Sequence, residues 1–283
     1  MKVYIDGQYY DKSQARISVF DHGLLYGDGV FEGIRLYHGK IFLLEAHIER
    51  LFRSAQAILL KIPVTQDVMG RTVEETVRIN RKSNGYIRLI VTRGQGALGI
   101  DPSSCRKPTV VIIVDDLQLY PSEYYKKGIR IITSSSRRMS SDCLDPRIKS
   151  LNYLNNILAK LEARQAGCLE AVMMNREGFI TECTADNLFL VKSRRILTPA
   201  ACYGALEGIT RKVVIDIATS LGIASEEAAL TRYDLHTADE CFITGTGAEI
   251  VPVTEVDGRV IGNGKPGEVT TKVNRAFADF VKG

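Results

Sequence analysis

The 283-residue chain has no tryptophan, only four histidines, and no run of Lys or Arg longer than two residues. A nucleic-acid-binding surface leaves a clustered basic stripe, and none is present. The formal charge of +4 is spread along the chain, a mild excess that suits anionic small molecules among other partners. No apolar stretch approaches the roughly 20 residues that a membrane-spanning helix needs. Cysteines stand at positions 105, 143, 168, 183, 202 and 241, without C-x-x-C spacing and without histidines at zinc-like intervals. That reads as reduced structural thiols with no metal site. The opening MKVYIDGQYY is a strand–turn–strand pattern rather than a leader peptide. The expectation is a cytoplasmic protein with no nucleic-acid partner, no membrane partner and no metal.

What is present is an ordinary globular composition, in a chain long enough for two domains of the usual roughly 100–150 residues. Asp6-Gly7 between Val3–Ile5 and Gln8–Tyr10 predicts a hairpin, because both turn residues tolerate positive φ. A second hairpin is predicted at His38-Gly39. Leu44, Ile48, Leu51, Ala55 and Ile58 recur at helical spacing before Pro63, and a further helix runs through Val68, Val73 and Val77. The β-branched runs Tyr86–Thr92 and Thr109–Val114 read as strands. These pieces make residues 1–115 a small α/β domain. DDLQLYPSEYY breaks the pattern, so 116–125 reads as a linker, and 126–283 as the larger domain. There Ile129–Thr133 reads as a strand, Leu151–Ala166 as a helix, and Glu170–Met174 with Phe179–Thr181 as a hairpin. Leu188–Val191, the helix Thr210–Leu221, the strand Cys241–Thr244, an Asp257-Gly258 hairpin and a closing helix through Val269 and Phe280 complete it.

Gly94, Gly96 and Gly99 spell G-x-G-x-x-G after a predicted strand, with Asp115 and Asp116 further on. This supports a nicotinamide-dependent dehydrogenase as an alternative. The fingerprint works only where the third glycine opens a helix facing the pyrophosphate. Here IDPSS follows, too turn-rich and too close to the next strand for a crossover helix, so the glycines read better as a flexible loop.

Lys149, between a proline-marked loop and a helix, and Glu182, in GFITECTADNLFLVK, are the strongest pair of chemical candidates. A catalytic amine and a carboxylate followed by phosphate-binding signals suggest pyridoxal phosphate chemistry. Each taken alone has a plainer reading, an exposed helix-start lysine and a polar strand-edge acid. Their company changes the weighting. K-S-L-N-Y, T-E-x-x-x-x-N-L-F, L-x-G-I-T-R and T-G-T-x-A-E-I follow in order. YGDGVFEGIR at Tyr26–Arg35, H-I-E-R-L at His47–Leu51 and GYIRLIVTRG at Gly85–Gly94 precede them. The series resembles the fold-type IV pyridoxal-phosphate enzymes, and within them the branched-chain aminotransferases, over almost the whole chain.

The resemblance implies a two-domain α/β (α+β) fold, with a small α/β N-terminal domain, a larger barrel-like α/β C-terminal domain and the cofactor, pyridoxal 5'-phosphate, in the interdomain cleft. Lys149 matches the Schiff-base lysine, whose freed amine moves a proton at the substrate α-carbon. Glu182 matches the carboxylate facing the pyridine nitrogen, and Tyr153 the tyrosine on the phenolic oxygen. Arg50, Ile209, Thr210 and Thr246 match the phosphate-binding positions, with Asn187 as a supporting residue given no catalytic step. Tyr86 and Arg88 match a Tyr-x-Arg near the substrate α-carboxylate, to which Gly247 and Ala248 offer backbone amides. Phe31, Gly33, Tyr26 and Tyr120 match side-chain pocket positions, and Arg35 is placed to meet the γ-carboxylate of glutamate. The implied reaction is ping-pong transamination of L-leucine, L-isoleucine or L-valine with 2-oxoglutarate, with small-molecule amino-acid and 2-oxo-acid substrates as partners. A homodimer or higher homo-oligomer is also implied.

D-amino-acid and (R)-amine aminotransferases share the lysine, glutamate and phosphate motifs and remain the alternative on this fold. D-amino-acid enzymes typically use an Arg-x-His pair in the loop after VTRG, where this chain reads QGALGIDPSS. Aminodeoxychorismate lyases share the scaffold but favour an FET-type pattern over FEGIR. One departure from the branched-chain pattern stands beside the lysine. Only Ser150 and Leu151 separate it from Asn152, where some relatives carry an extra glycine-rich residue, which points to a broader substrate range. A non-catalytic binding protein of the same fold is the third reading.

Overall fold

A computed structural model describes residues 1–282; Gly283, the last residue of the expected larger domain, lies outside them. The chain divides into two compact units, residues 1–117 with 148–152, and residues 118–147 with 153–283.

The first unit is a six-stranded antiparallel sheet covered by two helices. It contains β1 (Lys2–Ile5), β2 (Gln8–Asp11), a short α1 (His22–Tyr26), β3 (Gly29–Tyr37), β4 (Lys40–Ile41), α2 (Leu44–Ala57), α3 (Gln66–Asn80), β5 (Gly85–Thr92) and β6 (Thr109–Asp115), in the strand order β2-β1-β6-β5-β3-β4. The β1–β2 turn forms as the sequence dictates, with Asp6 at φ 48° and Gly7 at φ 96°. Along β3 the side chains alternate. Val30, Ile34 and Leu36 pack with Ile48, Leu51, Met69 and Val73 of α2 and α3, leaving Phe31, Gly33 and Arg35 on the opposite face.

The second unit carries α4 (Ser122–Lys127), β7 (Ile129–Arg137), α5 (Ser141–Leu144), α6 (Leu154–Gln165), β8 (Glu170–Met174), β9 (Ile180–Cys183), β10 (Asn187–Lys192), β11 (Arg195–Pro199) and α7 (Ile209–Ser220). It continues through β12 (Ser225–Ala228), α8 (Arg232–His236), β13 (Glu240–Gly245), β14 (Glu249–Val256), β15 (Arg259–Val260) and α9 (Glu268–Phe280). Its strands form one sheet, β12-β11-β10-β13-β14-β7-β8-β9, with β15 paired to β14. The sheet curls, because β9 also packs against β10 and β11. Ile129, Val172, Leu188, Ile243 and Val251 fill the core on one side of it.

Two expectations shift. The helix expected from Leu151 begins at Leu154, because the residues before it are tied to β3: Phe31 donates its N–H to the Lys149 carbonyl, and Leu151 to that of Gly29. Within the segment read as a linker, Tyr120 is buried in the core of the second unit and α4 follows at once. The strand β12, SEEA, escapes sequence reading because it is a charged edge strand with no apolar alternation.

Candidate active site

In the first unit, Lys149 is held by its backbone. Its N–H donates to the Ser54 hydroxyl at 3.2 Å, its carbonyl accepts from Phe31 at 3.0 Å, and Ser150 bridges to Val30. The segment is an added edge on β3, lying between Ser54 of α2 and the Phe31 ring. There its Nζ lies 4.5 Å from the centre of the Phe31 ring. The Arg88 guanidinium lies 4.6 Å from the same ring and 5.4 Å from that of Tyr86. The antiparallel register sets Gly33 opposite Arg88 and Arg35 opposite Tyr86. A Cβ on Gly33 would fall 1.7 Å from the Tyr86 hydroxyl oxygen, so the absent side chain is what admits that ring. The sheet therefore gathers Lys149, Phe31, Gly33, Tyr86 and Arg88 on one face, an amine and a guanidinium against aromatic walls. Arg35 donates to the Leu117 carbonyl at 3.0 Å. Tyr26 is half-exposed on α1, edge-on to His22.

Arg50 lies on the helix-covered side, where its Nε and Nη2 donate to Glu32 at 2.7 and 2.8 Å. Burial works to raise the Glu32 carboxyl, but the charge and hydrogen bonds of Arg50, with His47, outweigh it and bring it down to about 2. His47 is lowered as well, here chiefly by its burial. Its Nδ1 lies 2.8 Å from Glu32 Oε2, and against a carboxylate oxygen that nitrogen is the donor. Sequence reasoning missed Glu32, since nothing local marks a strand carboxylate as the partner of a helix arginine.

The second unit builds around Asn187. Its Nδ2 donates to Glu182 at 3.2 Å and to the Leu206 carbonyl at 2.9 Å, and it pairs with Thr244 across β10 and β13. Glu182 also accepts from the Leu206 N–H at 2.9 Å and from Arg138 Nη2 at 2.5 Å. A carboxylate has about four acceptor positions, so one remains for a further donor once these three are taken. Arg138, which no motif marks, is the second residue missed. A Cβ on Gly208 would strike Asn187 Oδ1 at 2.0 Å, so glycine lets the chain pass and enter α7. That helix has no side-chain cap, leaving the first N–H groups, including those of Ile209 and Thr210, to other partners.

Thr210 Oγ1 and Thr244 Oγ1 are both buried without a hydrogen-bond partner among the described residues. Buried hydroxyls are seldom left so, and with an uncapped helix start they make a donor set suited to a phosphate. Thr246, Gly247 and Ala248 form the β13–β14 turn, one residue beyond Gly245, whose missing Cβ accommodates Asp186 Oδ1. These groups fit pyridoxal phosphate. Tyr153 precedes α6 as its N-cap. Tyr120 is buried, its hydroxyl donating to Asp186 at 3.3 Å and Glu170 at 3.4 Å, and burial pushes that hydroxyl far up, with the two carboxyls adding to it.

The glycine motif has no place in a nucleotide site. β5 and β6 are antiparallel neighbours, whereas the dinucleotide fingerprint needs a crossover helix between parallel strands. Gly94 and Gly96 serve close packing instead, against the Lys107 carbonyl and against Cys105 and His22.

The family model for class IV aminotransferases matches residues 29–256. The chain belongs to that family, and it is a pyridoxal-phosphate-dependent aminotransferase. A Methanocaldococcus jannaschii protein provisionally named a branched-chain-amino-acid aminotransferase is 51% identical over 280 residues, 99% of this chain and 96% of its own. A Bacillus licheniformis D-alanine aminotransferase is 35% identical over 281 residues, 99% of this chain and 97% of its own. The branched-chain amino acid aminotransferase of Escherichia coli superposes with a TM-score of 0.96 at 33% identity, covering 99% of this chain and 94% of that one.

Proposed function

We propose that the enzyme transaminates branched-chain L-amino acids with 2-oxoglutarate. The observation that carries this reading is the shared face of β3 and β5, where the Arg88 guanidinium lies over the Phe31 and Tyr86 rings and the Lys149 amine over that same Phe31 ring. A guanidinium there takes the substrate α-carboxylate while the aromatic walls take an aliphatic side chain. The 51% identical relative with a branched-chain name supports it. So does the loop after VTRG, whose residues 95–105 contain no arginine or histidine.

When bound, pyridoxal 5'-phosphate supplies the carbonyl that takes up the amino group and the ring that spreads the charge left at the α-carbon. Lys149 holds the cofactor and then moves the α-carbon proton. Glu182, fixed by Arg138, Asn187 and the Leu206 amide, accepts from the ring nitrogen. Tyr153 binds the phenolic oxygen. Arg50, the α7 start at Ile209 and Thr210, and Thr246 hold the phosphate. Gly247 and Ala248 offer amides to the substrate carboxylate, Tyr26 and Tyr120 border the side chain, and Arg35 accommodates a γ-carboxylate. Asp186 and Glu170 hold Tyr120 in place.

We also place the enzyme in the cytoplasm as a homodimer. Six free thiols support the compartment, and an outward apolar stripe on α6 supports the dimer. Visible spectra of the cofactor-loaded enzyme test the substrate class. The absorbance of the lysine-bound cofactor is expected to be bleached by L-leucine and not by D-alanine. Bleaching by D-alanine alone transfers the enzyme to the D-amino-acid branch.

A further inference from the structure

Glu32 breaks the pattern of its own strand. It is fully buried between Val30 and Ile34, which are equally buried, on the face of β3 that packs against α2. An apolar residue of similar size would suit that position, because a buried ion pair recovers its desolvation cost only with good geometry and satisfied hydrogen bonds. Its neighbours form a polar stripe rather than an isolated pair. His47, Arg50 and Ser54 recur at helical spacing on α2, all buried. The first two bond to Glu32, and the third receives the Lys149 N–H. The side-on contact from Nε and Nη2 fixes both the plane and the direction of the guanidinium, which a single contact would not.

We propose that Glu32 is a positioning residue for the cofactor phosphate: it acts through Arg50, holding the guanidinium in the one orientation that engages the phosphate. His47 completes the arrangement at Glu32 Oε2, the oxygen that also accepts from Arg50 Nη2. The inference rests on the reading of Arg50 as a phosphate residue and Lys149 as the cofactor lysine. It adds that the phosphate contact depends on a carboxylate that touches neither cofactor nor substrate.

The test compares two probes on the apo-enzyme, pyridoxal 5'-phosphate and pyridoxal, which lacks the phosphate. Dissociation constants are read from the absorbance of the lysine-bound form, for wild type, Glu32→Gln, Glu32→Asp, Arg50→Ala and the Glu32→Gln/Arg50→Ala pair. Glu32→Gln is expected to weaken pyridoxal 5'-phosphate about ten-fold or more while leaving pyridoxal within about two-fold. Arg50→Ala is expected to do the same, and the double variant to be no worse than Arg50→Ala. Should Glu32→Gln fail to fold, Glu32→Asp, which keeps the charge but shortens its reach, is read by the same criterion. Equal losses for both probes, or additive losses in the double variant, overturn the positioning role. A normal phosphate preference in Arg50→Ala overturns the underlying assignment of Arg50 instead.

Discussion

At the scale of the residue, the candidate substrate face depends on something missing. Gly33 is buried, and its backbone is not what requires glycine; the requirement is the Tyr86 ring, whose hydroxyl oxygen, terminal ring carbon and next ring carbon would lie 1.7, 2.5 and 3.2 Å from a Cβ. Those atoms belong to a rigid ring, so Gly33→Ala obliges the whole ring to move, and with it the surface that Arg88 rests against. A single methyl group in a shaped pocket changes discrimination by about 10–200-fold. Gly33→Ala is therefore expected to lower kcat/KM for L-leucine at least about ten-fold, and to lower it less for L-alanine. The variant should keep its affinity for pyridoxal phosphate, since the nearest atoms that a Cβ at Gly33 would meet belong to Tyr86 and not to a phosphate residue. Equal losses for the two amino acids would show that the face does not read side-chain size.

At the scale of the element, the β9–β10 turn rests on buried acids. Glu170 accepts from the Thr184 N–H and hydroxyl, the Ala171 N–H and Lys160 Nζ, while Asp186 shares Tyr120 with it. Burial, reinforced by the Glu170 charge, raises the Asp186 carboxyl from 3.8 to about 7, against the pull of Lys160 and Tyr120. A folded-state value above the unfolded one favours the protonated form in the fold. Its stabilisation is complete below the ordinary carboxylate range and is lost as pH rises through about 7. Between about pH 6 and pH 8 the loss is roughly 1 kcal/mol. Asp186→Asn, which mimics the protonated acid, is expected to unfold in urea with less of this decline, gaining on wild type as pH rises. Parallel profiles for the two proteins would remove Asp186 from the linkage. The same turn shows what a sequence can disclose. Asp6-Gly7, the amphipathic α2 and the motif order are local signals, and the assignments proposed for Lys149, Glu182 and Thr210 rest on them. The Arg50–Glu32 and Arg138–Glu182 contacts join residues 18 and 44 positions apart. Neither partner carries a mark that it is buried, so only the fold reveals them. The late start of α6 has the same origin, because pairing with β3 overrides the helical pattern at Leu151.

At the scale of the whole molecule, α6 has its large side chains on the outside. Asn156, Ala159 and Ala163 face inward, whereas Leu154, Ile157, Leu158 and Leu161 are 67, 50, 48 and 47% exposed. Their i, i+3, i+4, i+7 spacing makes a continuous apolar stripe, and exposed stripes of this kind mark contact surfaces. Every copy of the chain offers the same stripe, so a two-fold pairing buries both at once and closes without leaving a second sticky face. Tyr153 is the N-cap of this helix, so pairing through it would stabilise a residue assigned to the cofactor. Leu158→Glu puts a charge in the middle of the stripe while retaining good helix propensity, so α6 itself should persist. Light scattering is expected to give wild type about twice the 31.4 kDa chain mass and Leu158→Glu the mass of a single chain, with far-ultraviolet circular dichroism unchanged. A wild-type mass of one chain refutes the dimer outright. A dimeric Leu158→Glu variant would instead move the interface off α6, towards the exposed Val19, Phe20 and Leu24 of the first unit.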